Sequence, residues 1–292
     1  MADAVVIWGE VLWDRFPDGD RLGGAPANVA WHLGQAGGWP QLVTRVGDDE
    51  DGRRAVEQLS MLVDTELVQV DPELATGEVT VRLENGEARY KLHAGRAWER
   101  IACTDEVRHA LATAGVFVYG TLSQRTPAGL ASWRSATAAA ERCLRACDIN
   151  LRPSDDQDVP AITAALEAAN LVKLNDREVA AVAHRLGWKD PVATLRARGC
   201  TVAVTHGDAG STLFGDGGVH EVAGVPAPRN PDRDNVGCGD AYLAILVHGL
   251  TQGWDLARSG RAASRWAAEV AGVRGATPAF TDDQIADLLE VV

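Results

Sequence analysis

The sequence predicts an α/β fold in which helices cover both faces of a mostly parallel sheet. Short, uniformly apolar runs alternate with longer amphipathic runs along most of the chain, as successive β-α units require. Several of the apolar runs end in Gly or Asn, as strands do at a ligand-facing edge of such a sheet. The 292 residues are 46% hydrophobic, enough for a sizeable core.

In chain order, AVVIWG (4–9) reads as the first buried strand, and EVLWDRFPDGDRL (10–22) as an extended insertion. PANVAWHLGQAG, starting at Pro26, reads as a helix, and QLVTRVG (41–47) as the next strand. TGEVTVRLENGEARYKL (76–92) breaks the pattern again. Its TVRL and ARYKL runs alternate polar and apolar, and Asn85-Gly86 is a strong hairpin-turn signal. VFVYG (116–120) is a strand, TPAGLASWRSATAAAERCLRA (126–146) a helical stretch, and CDIN (147–150) and NLVKLN (170–175) are strands. DREVAAVAHRLG (176–187) is helical, TVAVTHG (201–207) a strand, and AYLAILVHGL, from Ala241, an apolar helix. TDDQIADLLEVV closes the chain as a capped helix, with Thr281 as N-cap and Gln284 at the capping-box position. No repeat, low-complexity tract or Pro-rich linker divides the chain. The expectation is one domain over 1–292 with inserted segments at about 10–22 and 76–100.

The net charge of −13 argues against nucleic-acid and anionic-membrane partners. No apolar run approaches the roughly 20 residues of a membrane span. MADAVVIWGE lacks a signal-peptide pattern, so a cytoplasmic location is expected. The five cysteines (103, 143, 147, 200, 238) show no metal-binding spacing and read as reduced thiols. The histidines include no HExxH, which argues against zinc.

The most informative run is Asp234-Asn235-Val236-Gly237-Cys238-Gly239-Asp240, leading into the apolar helix. Gly237 and Gly239 free the backbone to turn sharply and approach a ligand. Backbone N–H groups at a helix start, aided by the helix dipole, form an anion site. Asp240 would repel phosphate as a mere binder, but it makes sense as a base accepting a proton from a hydroxyl beside a cradled phosphoryl group. An ordinary Gly-rich turn with a capping Asp is the alternative. No GxxxxGK[ST], HRD, DFG or strand-borne GxGxxG occurs, so phosphate must be held by some other device.

A second segment, Gly23-Gly24-Ala25-Pro26-Ala27-Asn28-Val29-Ala30, decides between these readings. GGAPANVA and DNVGCGDA strongly resemble the two signature regions of the PfkB/ribokinase family of carbohydrate kinases. VGDDEDG (46–52), DINLRP (148–153), Asn175-Asp176-Arg177-Glu178 and VTHGDAGS (204–211) match in family order, so the resemblance covers nearly the whole chain. GGAPANVA resembles the fructokinase branch in particular.

The resemblance implies a ribokinase-like three-layer αβα core with a small β lid formed by the two insertions. It implies transfer of the γ-phosphoryl group of ATP to a sugar hydroxyl, most readily fructose. Another small sugar, a nucleoside, or a non-catalytic sugar sensor on the same fold are the alternatives. Mg²⁺ would accompany ATP, and a monovalent cation such as K⁺ is left open. Asp240 would be the base, the amides of Gly237, Cys238 and Gly239 the anion hole, and Arg152 a positive charge near the transferred group. Asp14, Gly23, Gly24, Asn28 and Asn150 would line the sugar side, with Trp98 a pocket wall. Asn175, Thr205, Gly207 and Gly210, with Gly237 and Gly239, would face the nucleotide, and Asn175 and Glu178 would order Mg²⁺ through water.

Several of these residues also have plain structural readings. Asp14 could be an exposed turn residue, Gly24-Ala25-Pro26 a helix start, Asn175 and Glu178 a cap with a first-turn acid, and the tryptophans core. The family lid carries an aromatic–aromatic–Arg segment in common fructokinases, where this chain has YKLHAGRAWERI (90–101), which bears on the sugar that fits. Alanine is commoner than Cys238 in the anion hole. There the helix dipole is expected to lower the thiol pKa modestly and make it reactive. The open edges of a small lid sheet suggest a homodimer built through it.

Overall fold

In the computed structural model, residues 4–84, 87–151, 159–230 and 234–290 are described. Strand β1 (Val5–Trp8) shows why an unbroken apolar run forms a strand here. All four residues are buried. Val5 and Ile7 enter one core and Val6 and Trp8 the other, the period-2 alternation of a strand covered on both faces. It is followed by β2 (Leu12–Phe16), β3 (Gly19–Gly23), α1 (Ala25–Gln35), β4 (Gln41–Gly47), α2 (Glu50–Leu59) and β5 (Val68–Asp71). Next come β6 (Gly77–Glu84), β7 (Glu87–Leu92), α3 (Asp105–Thr113), β8 (Val116–Tyr119), α4 (Pro127–Ala139), β9 (Leu144–Asp148), α5 (Val159–Ala168) and β10 (Leu171–Asn175). The chain continues through α6 (Asp176–Leu186), α7 (Pro191–Ala197), β11 (Thr201–Thr205), β12 (Gly210–Gly215) and β13 (Gly218–Ala223) to α8 (Cys238–Thr251), α9 (Leu256–Ala271) and α10 (Asp282–Leu289).

Among the described residues, nine strands form the main sheet in the order β13-β12-β11-β10-β9-β8-β1-β4-β5. From β5 to β11 every pairing is parallel, and β12 and β13 add an antiparallel hairpin at one edge. Helices α1, α2, α8, α9 and α10 pack on one face, around Leu33, Leu59, Leu243, Trp266 and Leu288. Helices α3 to α7 pack on the other, around Leu111, Trp133, Ile162, Val182 and Leu195. This is the three-layer αβα architecture. The parallel strands all end on one side, so residues just after β1, β9, β10 and β11 share one rim.

The two insertions form a second sheet in the order β3-β2-β6-β7, with β2 parallel to β6. Leu12, Val79 and Val81, with the half-buried Phe16 and Leu92, make its apolar cluster. Arg15 on β2 ties it to the core by an ion pair with Asp51 on α2, and pairs within the sheet with Asp20 on β3 and Glu78 on β6. The Asn85-Gly86 turn lies outside the described residues.

The sequence reading of a helix through 126–146 is corrected. Helix α4 stops at Ala139 and β9 begins at Leu144. The segment is helix-forming by composition, but Leu144 and Arg145 register beside Val116 and Phe117, and the parallel ladder wins. The closing helix forms as read: the Gln284 N–H donates to Thr281 Oγ1 at 3.3 Å and the Thr281 N–H to Gln284 Oε1 at 2.9 Å.

Candidate functional site

The N-terminal half of the site is built where β3 runs into α1. Asp14 and Arg21 are cross-strand partners on β2 and β3. A Cβ at Gly23 would lie 2.6 Å from Asp14 Oδ2, so the bare glycine makes room for that carboxylate. Gly24 has φ 105°, and a Cβ there would meet the Glu10 carbonyl oxygen at 2.4 Å. Pro26 sits in the first turn of α1, so Gly24-Ala25-Pro26 is a helix start as well as a close approach. One turn further on, Asn28 is buried, with its Nδ2 donating to Asp240 Oδ2 at 2.8 Å. That bond joins two motifs 212 residues apart in sequence.

The other half is the start of α8. Gly237 is its N-cap in the left-handed region, φ 79°, where a side chain is strained. A Cβ at Gly237 would lie 2.5 Å from Ala276 Cβ, so residue 276 walls the turn. The Ala276 carbonyl in turn accepts from His32 Nε2 at 2.9 Å, and His32 Nδ1 accepts from Trp266 Nε1 at 3.1 Å. Full burial lowers the His32 pKa to about 4, so the ring is neutral in this bridge. Asp234 closes the loop from the other end, accepting from the N–H groups of Val236 and Gly275. The N–H groups of Cys238, Gly239 and Asp240 belong to the first turn of α8, where a helix offers its backbone donors outward.

Under this turn lies a group that the sequence reading missed. Lys173, on β10, is 4% exposed, and its Nζ donates to Asp148 Oδ2 at 2.7 Å. The same Nζ lies 2.8 Å from where a Cβ of Gly239 would be. Burial alone would discharge the ammonium, but Asp148, Glu178 and Asp240 outweigh it and hold the pKa above the ordinary lysine value. The available signal was a lone charge inside the buried run NLVKLN, facing Asp148 of DINLRP across the ladder.

Asn175 and Glu178 form the plain capping box that was their structural alternative. Asn175 Oδ1 accepts from the Glu178 N–H at 3.0 Å, and Glu178 Oε2 accepts from the Asn175 N–H at 2.8 Å. Glu178 Oε1 also accepts from the Leu151 N–H at 2.9 Å, which ties β9 to α6. Burial and then Asp148 raise the Glu178 pKa, with Lys173 opposing them. Among the described residues no group of three or more His, Cys, Asp and Glu side chains could cage a metal. The sparse Asn175–Glu178 pair, at the rim with carboxylate lone pairs to spare, fits an ion that keeps most of its water and is carried by phosphates.

Thr205 ends β11, Gly207 follows with φ 57°, and Gly210, φ 106°, packs where a Cβ would strike the Val222 carbonyl oxygen at 2.1 Å. Asn150, at φ 42°, is the one non-glycine with positive φ among the described residues, a conformation Asn tolerates. Its N–H donates to Asp148 Oδ1 at 3.2 Å, which places it beside Lys173's partner. Arg152 lies outside the described residues.

Two expectations are corrected. Trp98 is 2% exposed within the core on the α3–α7 face, against Gly77, so it is a core side chain and not a wall of an open pocket. Burial, then Asp240 and Asp234, push the Cys238 thiol up to about 12, against the lowered pKa read from the helix dipole. The half-buried thiol is therefore not primed as a nucleophile.

Residues 19–283 match the description "pfkB family carbohydrate kinase". A fructokinase from Klebsiella pneumoniae is 30% identical over 84% of this chain and 84% of its own length. The crystal structure of a sugar kinase from Pyrococcus horikoshii superposes with a TM-score of 0.81 at 25% identity, covering 97% of both chains. A fructokinase from Xylella fastidiosa, solved with bound ATP, superposes with a TM-score of 0.86 at 20% identity over 99% of both chains and shares the fold. No helix among the described residues is long and apolar enough to cross a membrane.

Proposed function

The chain belongs to the pfkB family of carbohydrate kinases, and from that premise we propose that it phosphorylates a primary hydroxyl of fructose. ATP is the phosphoryl donor. The observation that carries the reading is the Asn28–Asp240 hydrogen bond, which brings the sugar-side helix to the base at the anion turn. Asp14, in the space left by Gly23, accepts hydrogen bonds from sugar hydroxyls, which a carboxylate does two at a time. Gly237, Cys238 and Gly239 offer backbone N–H groups to the polyphosphate, backed by the helix dipole. Thr205, Gly207 and Gly210 line the nucleotide side, and at Gly207, where nothing lies within 4 Å of a Cβ position, bare backbone can approach phosphate. Asn150 stands toward the transferred group.

In the transfer, the sugar hydroxyl oxygen attacks the γ-phosphorus in line as the bond to the ADP oxygen breaks. The hydroxyl proton passes to Asp240, and ADP leaves with the electron pair. The transition state is loose, so aligning the hydroxyl and stabilising charge matter more than a strong base. Mg²⁺, when bound, supplies charge neutralisation on the phosphates, with Asn175 and Glu178 holding it through water.

Fructose is supported by GGAPANVA and by the similarity to fructokinases. A coupled ADP-release assay over a panel of sugars and nucleosides tests both levels. Fructose should give the highest kcat/KM. Preference of about tenfold or more for ribose or a nucleoside would overturn fructose alone, and no ADP release with any acceptor would overturn the kinase reading. Among the described residues β3 and β7 end the small sheet, each pairing with one strand, and such edges support a homodimer closed through it. Light scattering that finds a monomer at micromolar protein would refute the dimer.

A further inference from the structure

The start of α8 is surrounded by acid. Asp148, Glu178 and Asp240 are all at least nine-tenths buried around it, and Asp234 closes the preceding loop. Helix-start N–H groups alone would have to attract a polyphosphate against these carboxylates. The Lys173 ammonium is the opposing charge, and its placement is specific. Among the described residues, and setting aside Cys238, Asp240 and the backbone of α8 itself, only Lys173 Nζ and Cε come within 4 Å of a Cβ position at Gly239, at 2.8 and 3.4 Å. No Asp148 atom does, although Asp148 Oδ2 is 2.7 Å from the same Nζ. The buried pair therefore turns its positive end toward the turn.

We infer that Lys173 is the fixed counter-charge of the anion turn, a positioning residue that sits under Gly239 and makes the 237–240 segment attractive to polyphosphate. Three features of the chain follow from this. A lysine interrupts an otherwise apolar buried strand because the turn above needs a charge that solvent cannot supply. Asp148 opposes it on the neighbouring strand because an unpaired buried ammonium would lose its proton. Residue 239 is glycine because a side chain there would compete with the ammonium for space.

The inference rests on the nucleotide binding proposed above, and its test separates the two. Affinities for ADP and for adenosine, which lacks the phosphates, are measured by isothermal titration calorimetry. Lys173→Met should weaken ADP by roughly tenfold or more, the order expected for losing a buried charge near an anion, and leave adenosine within about twofold. Because Lys173→Met strands Asp148, the double variant Lys173→Met/Asp148→Asn removes both charges with little change of volume. It should show the same ADP-selective loss while keeping its fold. A folded double variant with wild-type ADP affinity would overturn the inference. So would equal losses of ADP and adenosine, which would mark Lys173 as a structural prop. Failure of the wild-type protein to bind ADP would instead overturn the kinase reading.

Discussion

Gly237→Ala tests the architecture of the anion turn at its tightest point. An alanine there must hold φ 79°, which costs about 1–2 kcal/mol for a residue with a Cβ. Its methyl would sit 2.5 Å from Ala276 Cβ and 2.7 Å from Ala276 Cα, well inside contact distance. Either the turn or residue 276 must give way by about 1 Å, and moving 276 strains the His32 bond to its carbonyl, about another 1 kcal/mol. The expected total is about 2–3 kcal/mol of stability. A displacement near 1 Å in the groups that hold the phosphates should lower kcat by about 10²-fold. Urea denaturation reads the first and coupled ADP release the second. Gly187→Ala, at the C-terminal end of α6, is the control: its φ is 65° but nothing lies within 4 Å of the new methyl, so only the backbone cost applies. Wild-type stability and turnover in Gly237→Ala would refute the reasoning, as would equal effects at Gly187.

Asp14→Ala should raise the sugar KM with little effect on the KM for ATP, and unchanged sugar kinetics would remove Asp14 from the pocket. His32 titrates near 4 in the folded protein and near 6.5 unfolded, so the unfolded chain binds the extra proton between those values. Stability is then full above about pH 6.5 and falls as pH drops toward 4, by about 2 kcal/mol between pH 7 and 5. Denaturant titrations should show that slope in the wild type and its loss in His32→Gln; matching slopes would contradict it. Cys238, pushed up to about 12, should resist iodoacetamide at neutral pH in the free protein, as peptide mapping would show. Rapid labelling there would restore the reading of a reactive thiol.

The parallel core was legible because strands buried on both faces leave unmistakable apolar runs, as at β1, β8 and β10. Strand β5 and the β12–β13 hairpin were not read. Val68 and Gln69 are half-buried and Val70 is exposed, so the apolar signal of an interior strand is absent. In the hairpin, Gly210 drew attention as a phosphate-side glycine and hid the strand that starts there. Of the site, the short-range elements were readable: Gly24 and Gly237 hold the backbone that their motifs imply. Lys173 was missed because its meaning is tertiary. Nothing in NLVKLN indicates that the lysine tip ends under residue 239. The Cys238 pKa was misjudged for a related reason. The dipole is visible in a motif, but the burial and the neighbouring Asp234 and Asp240 charges that outweigh it are set by packing.

The central claim is that Asp240 takes the proton of the sugar hydroxyl beside a phosphate held on the start of α8. Asp240→Asn tests it most directly, because the amide keeps the size of the carboxylate and an oxygen that can accept from Asn28 Nδ2. Coupled ADP release under saturating fructose and ATP should show kcat lowered by roughly 10²–10⁴-fold, the range for losing a general base. Affinity for a nonhydrolysable ATP analogue should be equal or tighter, since a negative charge beside the phosphates has gone. A variant that turns over near the wild-type rate would contradict the claim.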